Sequence, residues 1–197
     1  EKVNQNLSYQ VCVVDNNSKS ADFNYLKENF PKHKNYQLQR SIINTGFGAG
    51  NMFGAQFVNA KYILFLNNDT LLINDCLSIL FNYMEENRDC GVVTAQNYDE
   101  NGKFVPSFDH FKGVRKLLCG RGLLEKMDPI KYPKQNGVYE NPLAVNYVNG
   151  AFMFFRTEVF ANVGGFDTSI FLYFEETDIC YRMLHQGFKS VLHPIAK

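Results

Sequence analysis

Three acids near the end of the chain, Glu175, Glu176 and Asp178, are the residues best suited to acid–base chemistry. They open a predicted helix and follow an apolar run, residues 171–174. The helix dipole favours one exposed acid there by only about 0.3–1 kcal/mol, so it does not explain the apolar surroundings. Partial burial would raise a carboxylate's pKa, as a base that deprotonates a hydroxyl near neutral pH requires. We expect one of the three to be a general base and the others to anchor the helix.

A second candidate for chemistry is the sequence Asn67-Asn68-Asp69, which directly follows the most apolar predicted strand, residues 62–66. A carboxylate at the end of a central strand can hold Mg²⁺ or Mn²⁺. These ions take one or two protein carboxylates and complete their shell with phosphate oxygens and water. The local sequence leaves open a second interpretation, in which Asp69 only forms a turn or caps a helix.

The third candidate is a glycine-rich segment, Gly46-Phe47-Gly48-Ala49-Gly50. It does not match the dinucleotide fingerprint, because the third glycine of that pattern would have to stand at Asn51 or at Phe53. Two interpretations remain: a tight turn into a helix, or a lining of a nucleotide site that lets the backbone approach a ligand.

The elements that would position these residues alternate between strand and helix in the first half of the chain. Strands are predicted at residues 11–14, 37–43, 62–66 and 91–94, with helices between them, the third of which is capped by Asn74. This order predicts an α/β fold with a mostly parallel sheet, in which ligands gather beyond the carboxyl ends of the strands. Asp15 and Asp69 both fall at such ends.

The second half of the chain is less regular. Residues 97–146 are predicted to be an inserted loop region, followed by a strand at 148–156, a short helix, a helix at 175–186 and a strand at 189–193. At 197 residues the chain is expected to form one domain. We expect a nucleotide-sugar half over about residues 1–97 and an acceptor half over about 98–197.

Composition narrows the class of partner. Lys plus Arg and Asp plus Glu each total 20, so no charge surplus indicates nucleic acid as a partner. The five cysteines are scattered and show no zinc spacing, which suits a reducing compartment. No run approaches the ~20 apolar residues of a membrane span. We therefore expect a cytoplasmic location.

Five segments taken in order resemble the inverting family-2 glycosyltransferases of the GT-A fold, in particular their rhamnosyltransferase-like branch. The segments are Val13-Val14-Asp15-Asn16-Asn17-Ser18, residues 44–51, Leu66-Asn67-Asn68-Asp69, Gly150-Ala151-Phe152-Met153, and residues 173–182. Each pattern is weak alone, but the five in this order are specific.

The resemblance implies a GT-A three-layer αβα domain and a role for each matched residue. Asp15 would recognise the nucleotide base and Asp69 would bind the metal, Mg²⁺ or Mn²⁺. The donor site would also be lined by Asn16, Asn44, Gly46, Asn51, Asn67 and Asn68. Gly150 and Ala151 would shape the acceptor side. Glu176 falls where the family places its catalytic base, normally Asp, so Glu175 and Asp178 remain alternatives for that role.

The implied reaction is sugar transfer from a UDP-, dTDP- or GDP-linked donor to a hydroxyl of a glycan or lipid-linked acceptor. Peripheral contact with the inner face of the cell membrane is a further expectation. The family's first strand and its C-terminal end are not recognisable, so the chain is expected to be truncated at both ends. Two rival interpretations are a sugar-1-phosphate nucleotidyltransferase and a non-catalytic module that binds a nucleotide or a glycan.

Overall fold

Two sheets and the helices packed on them position the residues singled out above. The computed structural model describes residues 7–111 and 120–197. The described strands are β1 (Val11–Asp15), β2 (Tyr36–Arg40), β3 (Tyr62–Leu66), β4 (Cys90–Ala95), β5 (Asn97–Tyr98), β6 (Phe104–Val105), β7 (Phe108–Asp109), β8 (Leu143–Val145), β9 (Tyr147–Val148), β10 (Phe152–Arg156) and β11 (Lys189–His193). The described helices are α1 (Ser20–Asn29), α2 (Gly46–Ala55), α3 (Cys76–Glu86), α4 (Arg121–Met127), α5 (Thr157–Asn162) and α6 (Glu175–His185).

The first sheet is a parallel pair formed by β1 and β2, with α1 as the crossover between them. Its register places Asp15 opposite Arg40 at the carboxyl ends of the two strands. The strand predicted over residues 37–43 is shorter in the structure, where it ends at Arg40.

The second sheet has five strands in the order β3-β10-β4-β11-β8. Of its four neighbouring pairs as described, only β4 and β11 are parallel. The prediction of an α/β fold is confirmed, but the prediction of a mostly parallel sheet needs correction, because β10 inserts antiparallel between β3 and β4. The insertion is possible because β10 follows the irregular region and not a crossover helix, which would have forced a parallel strand.

The core lies on both faces of this sheet, and β10 shows why. Its side chains alternate between the faces, as in any strand. Met153 and Phe155 belong to one buried cluster, whereas Phe152 and Phe154 belong to the other. Helix α6 covers the first face through Ile179 and Met183, and α3 covers the second through Leu80 and Met84. The arrangement has three layers, helix on sheet on helix.

Two local predictions differ from the structure. The cap of α3 is Asp75, whose Oδ1 accepts from the amide of Ser78 at 3.4 Å, and not Asn74. Asn74 instead bonds the last residues, since its amide donates to the Ile195 carbonyl at 2.7 Å. The predicted loop region over 97–146 contains helix α4 and several two- or three-residue strands, and its residues 112–119 lie outside the described part of the chain.

Candidate active site

The loop after β3, which carries Asp69, lies beside the turn before β10. Because β3 and β10 are antiparallel with Leu66 opposite Phe152, the amide of Asn67 donates to the carbonyl of Ala151 at 3.0 Å. The predicted metal residue and the predicted acceptor turn at Gly150 and Ala151 therefore share one edge of the sheet.

Contacts through Phe47 continue from that turn to the start of α6. A Cβ atom built on Gly150 would lie 3.8 Å from the tip of the Phe47 ring. The amide of Phe47 in turn donates to the carbonyl of Phe171 at 2.9 Å, and Phe171 precedes Glu175 by four residues. A series of neighbouring residues thus leads from the turn before β10, through Phe47, to the loop that precedes the acids of α6.

Glu176 is half-buried at the first turn of α6. Burial raises the pKa of its carboxyl above the ordinary value; the helix amide at its own position opposes this shift, and the charge of Glu175 adds to it. A carboxylate that is partly shielded from water and has a raised pKa can accept a proton from a hydroxyl near neutral pH.

Glu175 occupies a different environment, although it is the adjacent residue. Its side chain is 1% exposed and packs against Gly48, whose added Cβ would lie 3.2 Å from Cγ of Glu175. Its Oε1 has no hydrogen-bond partner in the described part of the chain. Glu175, Ile179 and Met183 repeat at a spacing of four, so this acid lies on the buried stripe of the helix. Its side chain is shielded from solvent by the packing around it.

Asp178 is bound within the protein. Its Oδ2 accepts from Nε of Arg182 at 2.9 Å and from Nη2 at 2.5 Å. The same guanidinium donates to the carbonyls of Val163 and Gly165, the latter at 2.7 Å. The Asp178–Arg182 pair therefore fixes α6 to the turn after α5, which is an anchoring role.

Asp15, the predicted base-recognition residue, is 5% exposed. Its Oδ2 lies 3.1 Å from Nε of Arg40, an ion pair that lacks good hydrogen-bond angles, and its Oδ1 accepts from the amide of Ser18 at 3.2 Å. Arg40 also stacks on Phe23, with 4.1 Å from its guanidinium carbon to the ring centroid. Arg40 is a residue that the sequence analysis did not identify; its signal would have been the parallel register of β1 and β2.

Asn16 and Asn44 close the loop before α2. The Asn16 amide donates to the Gly46 carbonyl at 2.9 Å, and its oxygen accepts from the Thr45 amide at 3.1 Å. Asn44 accepts from the Gly46 amide at 3.0 Å. Asn51 donates to the Phe47 carbonyl at 3.0 Å within the helix. These side chains fix the shape of the predicted donor site, and their contact with a donor stays a prediction.

The glycine-rich segment is the start of α2, and its glycines are packing positions. An added Cβ on Gly46, which has φ +84°, would lie 2.1 Å from the Phe171 carbonyl oxygen. One on Gly50 would lie 3.0 Å from the Asn16 amide nitrogen, and one on Gly54 would lie 2.7 Å from a Val14 methyl group. The segment turns into a helix, and its lining of a nucleotide site stays a prediction. Helix α2 contacts the predicted donor side and the predicted base side at once.

Asp69 could hold a divalent cation only together with other ligands. Its side chain is exposed beside Asn68, and no group of three or more His, Cys, Asp or Glu residues that could hold a metal occurs in the described ranges. A single carboxylate with nearby amide oxygens fits Mg²⁺ or Mn²⁺ when phosphate oxygens and water supply the rest of the shell.

The sequence analysis missed two paired residues, Tyr147 and Asp109, of which Tyr147 interacts with Thr177 and with the charge of Glu176. Tyr147 donates to Oδ2 of Asp109 at 3.3 Å, across the pairing of β9 with β7. Burial raises the pKa of Tyr147 to about 12; the charge of Asp109 adds to the shift, a hydrogen bond with Thr177 opposes it, and the charge of Glu176 adds further. Both residues lie in or beside the irregular region, where no periodicity marks them.

A groove of about 430 Å³ lies away from these acids, at the opposite edge of the sheet. Its lining includes Lys61, Arg88 and Arg156. Arg156 is 8% exposed and donates to the Tyr62 hydroxyl and to the carbonyls of Met84 and Asn87, which closes the end of α3. Arg156 therefore has a structural role at this groove. The residues predicted for catalysis lie outside it, on a more open surface.

The three layers around a mixed central sheet are those of a domain of the GT-A type. The chain belongs to glycosyl transferase family 2, and the model of that family matches residues 2–164. The predictions of the family and of the fold are confirmed. No helix in the described ranges is long and apolar enough to cross a membrane.

One named relative agrees with this family, and two solved structures agree with the fold. The chain is 29% identical over 153 residues to the rhamnosyltransferase WbbL of Escherichia coli (strain K12), covering 72% of this chain and 55% of that protein. It resembles the structure of GalNAc-T7 with UDP, GalNAc and Mn²⁺ at 14% identity and a TM-score of 0.67, over 94% of this chain and 36% of that one. The mannosyltransferase PcManGT of Pyrobaculum calidifontis, in complex with GDP-Man and Mn²⁺, gives 14% identity and a TM-score of 0.59, over 94% and 45%. The chain thus spans about half the length of the curated relative.

Proposed function

We propose that this chain is the catalytic domain of an inverting glycosyltransferase, with Glu176 as its general base. The observation that carries the proposal is the separation of the three acids at the start of α6. Glu175 is buried, Asp178 is bound by Arg182, and Glu176 is partly exposed with a pKa that burial raises. Glu176 is therefore preferred over the two alternatives.

The donor is a nucleoside-diphosphate sugar, UDP-, dTDP- or GDP-linked. Support comes from the ligands named for the two structural neighbours, UDP with GalNAc and GDP-Man. Asp69, with Asn67 and Asn68 beside it, would hold the Mn²⁺ or Mg²⁺ that, when bound, neutralises negative charge on the leaving diphosphate. The buried Asp15 and the loop at Asn16 and Asn44 would receive the nucleoside.

The acceptor is a hydroxyl of a glycan or lipid-linked saccharide, bound beside Gly150 and Ala151. Glu176 takes the hydroxyl proton as the oxygen attacks the anomeric carbon. The new carbon–oxygen bond forms on the face opposite the bond that breaks to the nucleoside diphosphate. Configuration is therefore inverted in one step. A lipid-linked acceptor would suit a cytoplasmic site at the inner face of the membrane.

Release of nucleoside diphosphate from a panel of donors, with and without acceptor saccharides, tests this function. We expect release for at least one donor and loss of acceptor-dependent release by about 10²–10⁴-fold in Glu176→Gln. Affinity for the nucleoside diphosphate, measured by calorimetry, should be retained in that variant. Release of pyrophosphate from a nucleoside triphosphate supplied with a sugar 1-phosphate would support the nucleotidyltransferase instead, and binding without turnover in either assay would support a non-catalytic module.

A further inference from the structure

Four consecutive apolar side chains are exposed immediately before the acidic start of α6. Phe171, Leu172, Tyr173 and Phe174, called here the aromatic loop, are 59%, 51%, 70% and 54% exposed. Contiguous exposed apolar surface on a globular protein marks a site of interaction. The exposed ring of Tyr173 in this loop is therefore a candidate contact for a ligand.

The backbone holds the aromatic loop in this exposed form. Tyr173 and Phe174 have φ of +68° and +76°, a left-handed conformation that costs about 1–3 kcal/mol for each residue without a glycine. The loop is fixed at both ends, because the Phe171 carbonyl accepts from the Phe47 amide and the Phe174 carbonyl accepts from the Asp178 amide, both at 2.9 Å. Such strain persists where surrounding structure imposes it, as at ligand sites.

The position of the aromatic loop relates it to the acceptor. Phe174 precedes Glu176 by two residues, so the loop leads directly into the proposed base. Phe47 contacts the loop through its amide and approaches Gly150 with its ring. The loop and the proposed acceptor turn therefore lie on two sides of Phe47.

The surrounding charge favours a saccharide over a lipid surface. Residues 157–181 include five acids, Glu158, Asp167, Glu175, Glu176 and Asp178, and no Lys, Arg or His. Segments that lie on membranes combine apolar residues with Lys and Arg, which this segment lacks. A sugar ring, by contrast, offers an apolar C–H face of positive polarity to the negative face of an aromatic ring.

We propose that the aromatic loop is the acceptor-binding platform, on which a sugar ring of the acceptor stacks against the exposed ring of Tyr173. The inference rests on the proposed function and adds a specificity-determining residue to it. Stacking would orient the acceptor hydroxyl toward Glu176, so truncating the ring should act on acceptor binding. Tyr173→Ala is expected to raise the acceptor KM at least tenfold, whereas Tyr173→Phe keeps it near the wild-type value and affinity for the nucleoside diphosphate is retained in both.

The sequence allows a direct optical test, because it has no tryptophan. Tyr173→Trp places a single indole on the loop, and Tyr25→Trp places one at a matched control site, since Tyr25 is 71% exposed on α1. The probes are a panel of methyl pyranosides, added with nucleoside diphosphate and Mn²⁺, and vesicles of phosphatidylcholine with phosphatidylglycerol.

A change in indole emission of the Tyr173→Trp variant with at least one pyranoside, and none for the Tyr25→Trp variant, is the expected result. A change with vesicles alone would overturn the inference in favour of membrane contact, and no change with either probe would overturn it outright. Donor turnover by the wild-type protein distinguishes a failure of the loop assignment from a failure of the proposed function. If turnover is present while the indole on the loop does not respond, only the assignment of the loop fails; if no donor is turned over, the proposed function fails.

Discussion

One carboxylate oxygen of Asp178, Oδ2, accepts hydrogen bonds from two nitrogens of Arg182, at 2.9 Å from Nε and 2.5 Å from Nη2. The pair holds the turn at Gly165, to which the same guanidinium donates. Two residues earlier on the same helix, Glu176 has a pKa that burial raises, and no cation in the described part of the chain opposes that shift. The difference between these two acids supports separate roles, one in stability and one in proton transfer.

Asp178→Asn should therefore lower the free energy of unfolding and leave turnover nearly unchanged. The side chains of Asp178 and Arg182 are 33% and 30% exposed, so solvent screening limits the expected loss to about 1 kcal/mol. Urea unfolding measures this loss, and turnover of the folded variant should stay within a few-fold of wild type. A drop in turnover as large as that of Glu176→Gln, at unchanged stability, would move the base role to Asp178.

The raised pKa of Glu176 predicts a pH dependence of turnover. The base must be ionised, so turnover rises with pH through the pKa of Glu176. The acid limb of the pH profile should therefore lie above the ordinary glutamate pKa of about 4.3. The pH profile of kcat/KM for the acceptor measures the position of this limb. An acid limb at or below the ordinary glutamate range would contradict the assignment.

The same shift predicts that Glu176→Gln stabilises the fold at neutral pH. The contribution of Glu176 to the free energy of unfolding is fully present below the unfolded-chain pKa and is lost as pH rises through the raised folded pKa. Glutamine cannot ionise, so the variant should gain stability over wild type above about pH 7 and show little of that gain below about pH 4. Urea midpoints at both pH values measure the difference, with the exposed acid Glu28→Gln as a control that should show none.

Chelation should abolish turnover if Asp69 holds the cation with the donor diphosphate. We expect EDTA to reduce turnover to background and Mn²⁺ or Mg²⁺ to restore it. Asp69→Asn should weaken metal-dependent binding of nucleoside diphosphate at least tenfold in calorimetry. The exposed acid Asp22→Asn on α1 is the matched control. Full turnover in EDTA would exclude the metal role.

Helix α2 predicts a stability effect at Gly54. An alanine there would place Cβ 2.7 Å from a Val14 methyl group, so we expect a loss of about 1–3 kcal/mol from overpacking. Gly122 lies in helix α4 with nothing within 4 Å of an added Cβ, so Gly122→Ala should instead gain about 0.5 kcal/mol. Thermal or urea unfolding compares the two. Equal effects of the same sign would contradict the packing argument.

The sequence predicted the strands well because apolar runs that end in turn formers mark buried strands locally. It did not predict the direction of β10, since residues 152–156 are apolar almost throughout and the order of strands depends on long-range pairing. The difference between Glu175 and Glu176 was partly readable, because Glu175, Ile179 and Met183 lie on one helical stripe. The engagement of Asp15 by Arg40 depended on a register that only the folded chain defines.

The four buried glycines of α2 also constrain how the domain can change. With no side chain at these points, the helix backbone packs closely against Asn16 and Val14 on the predicted donor side and against Phe171 and Glu175 on the predicted base side. A larger residue at any of these four positions would therefore change the spacing between the two predicted sides of the site.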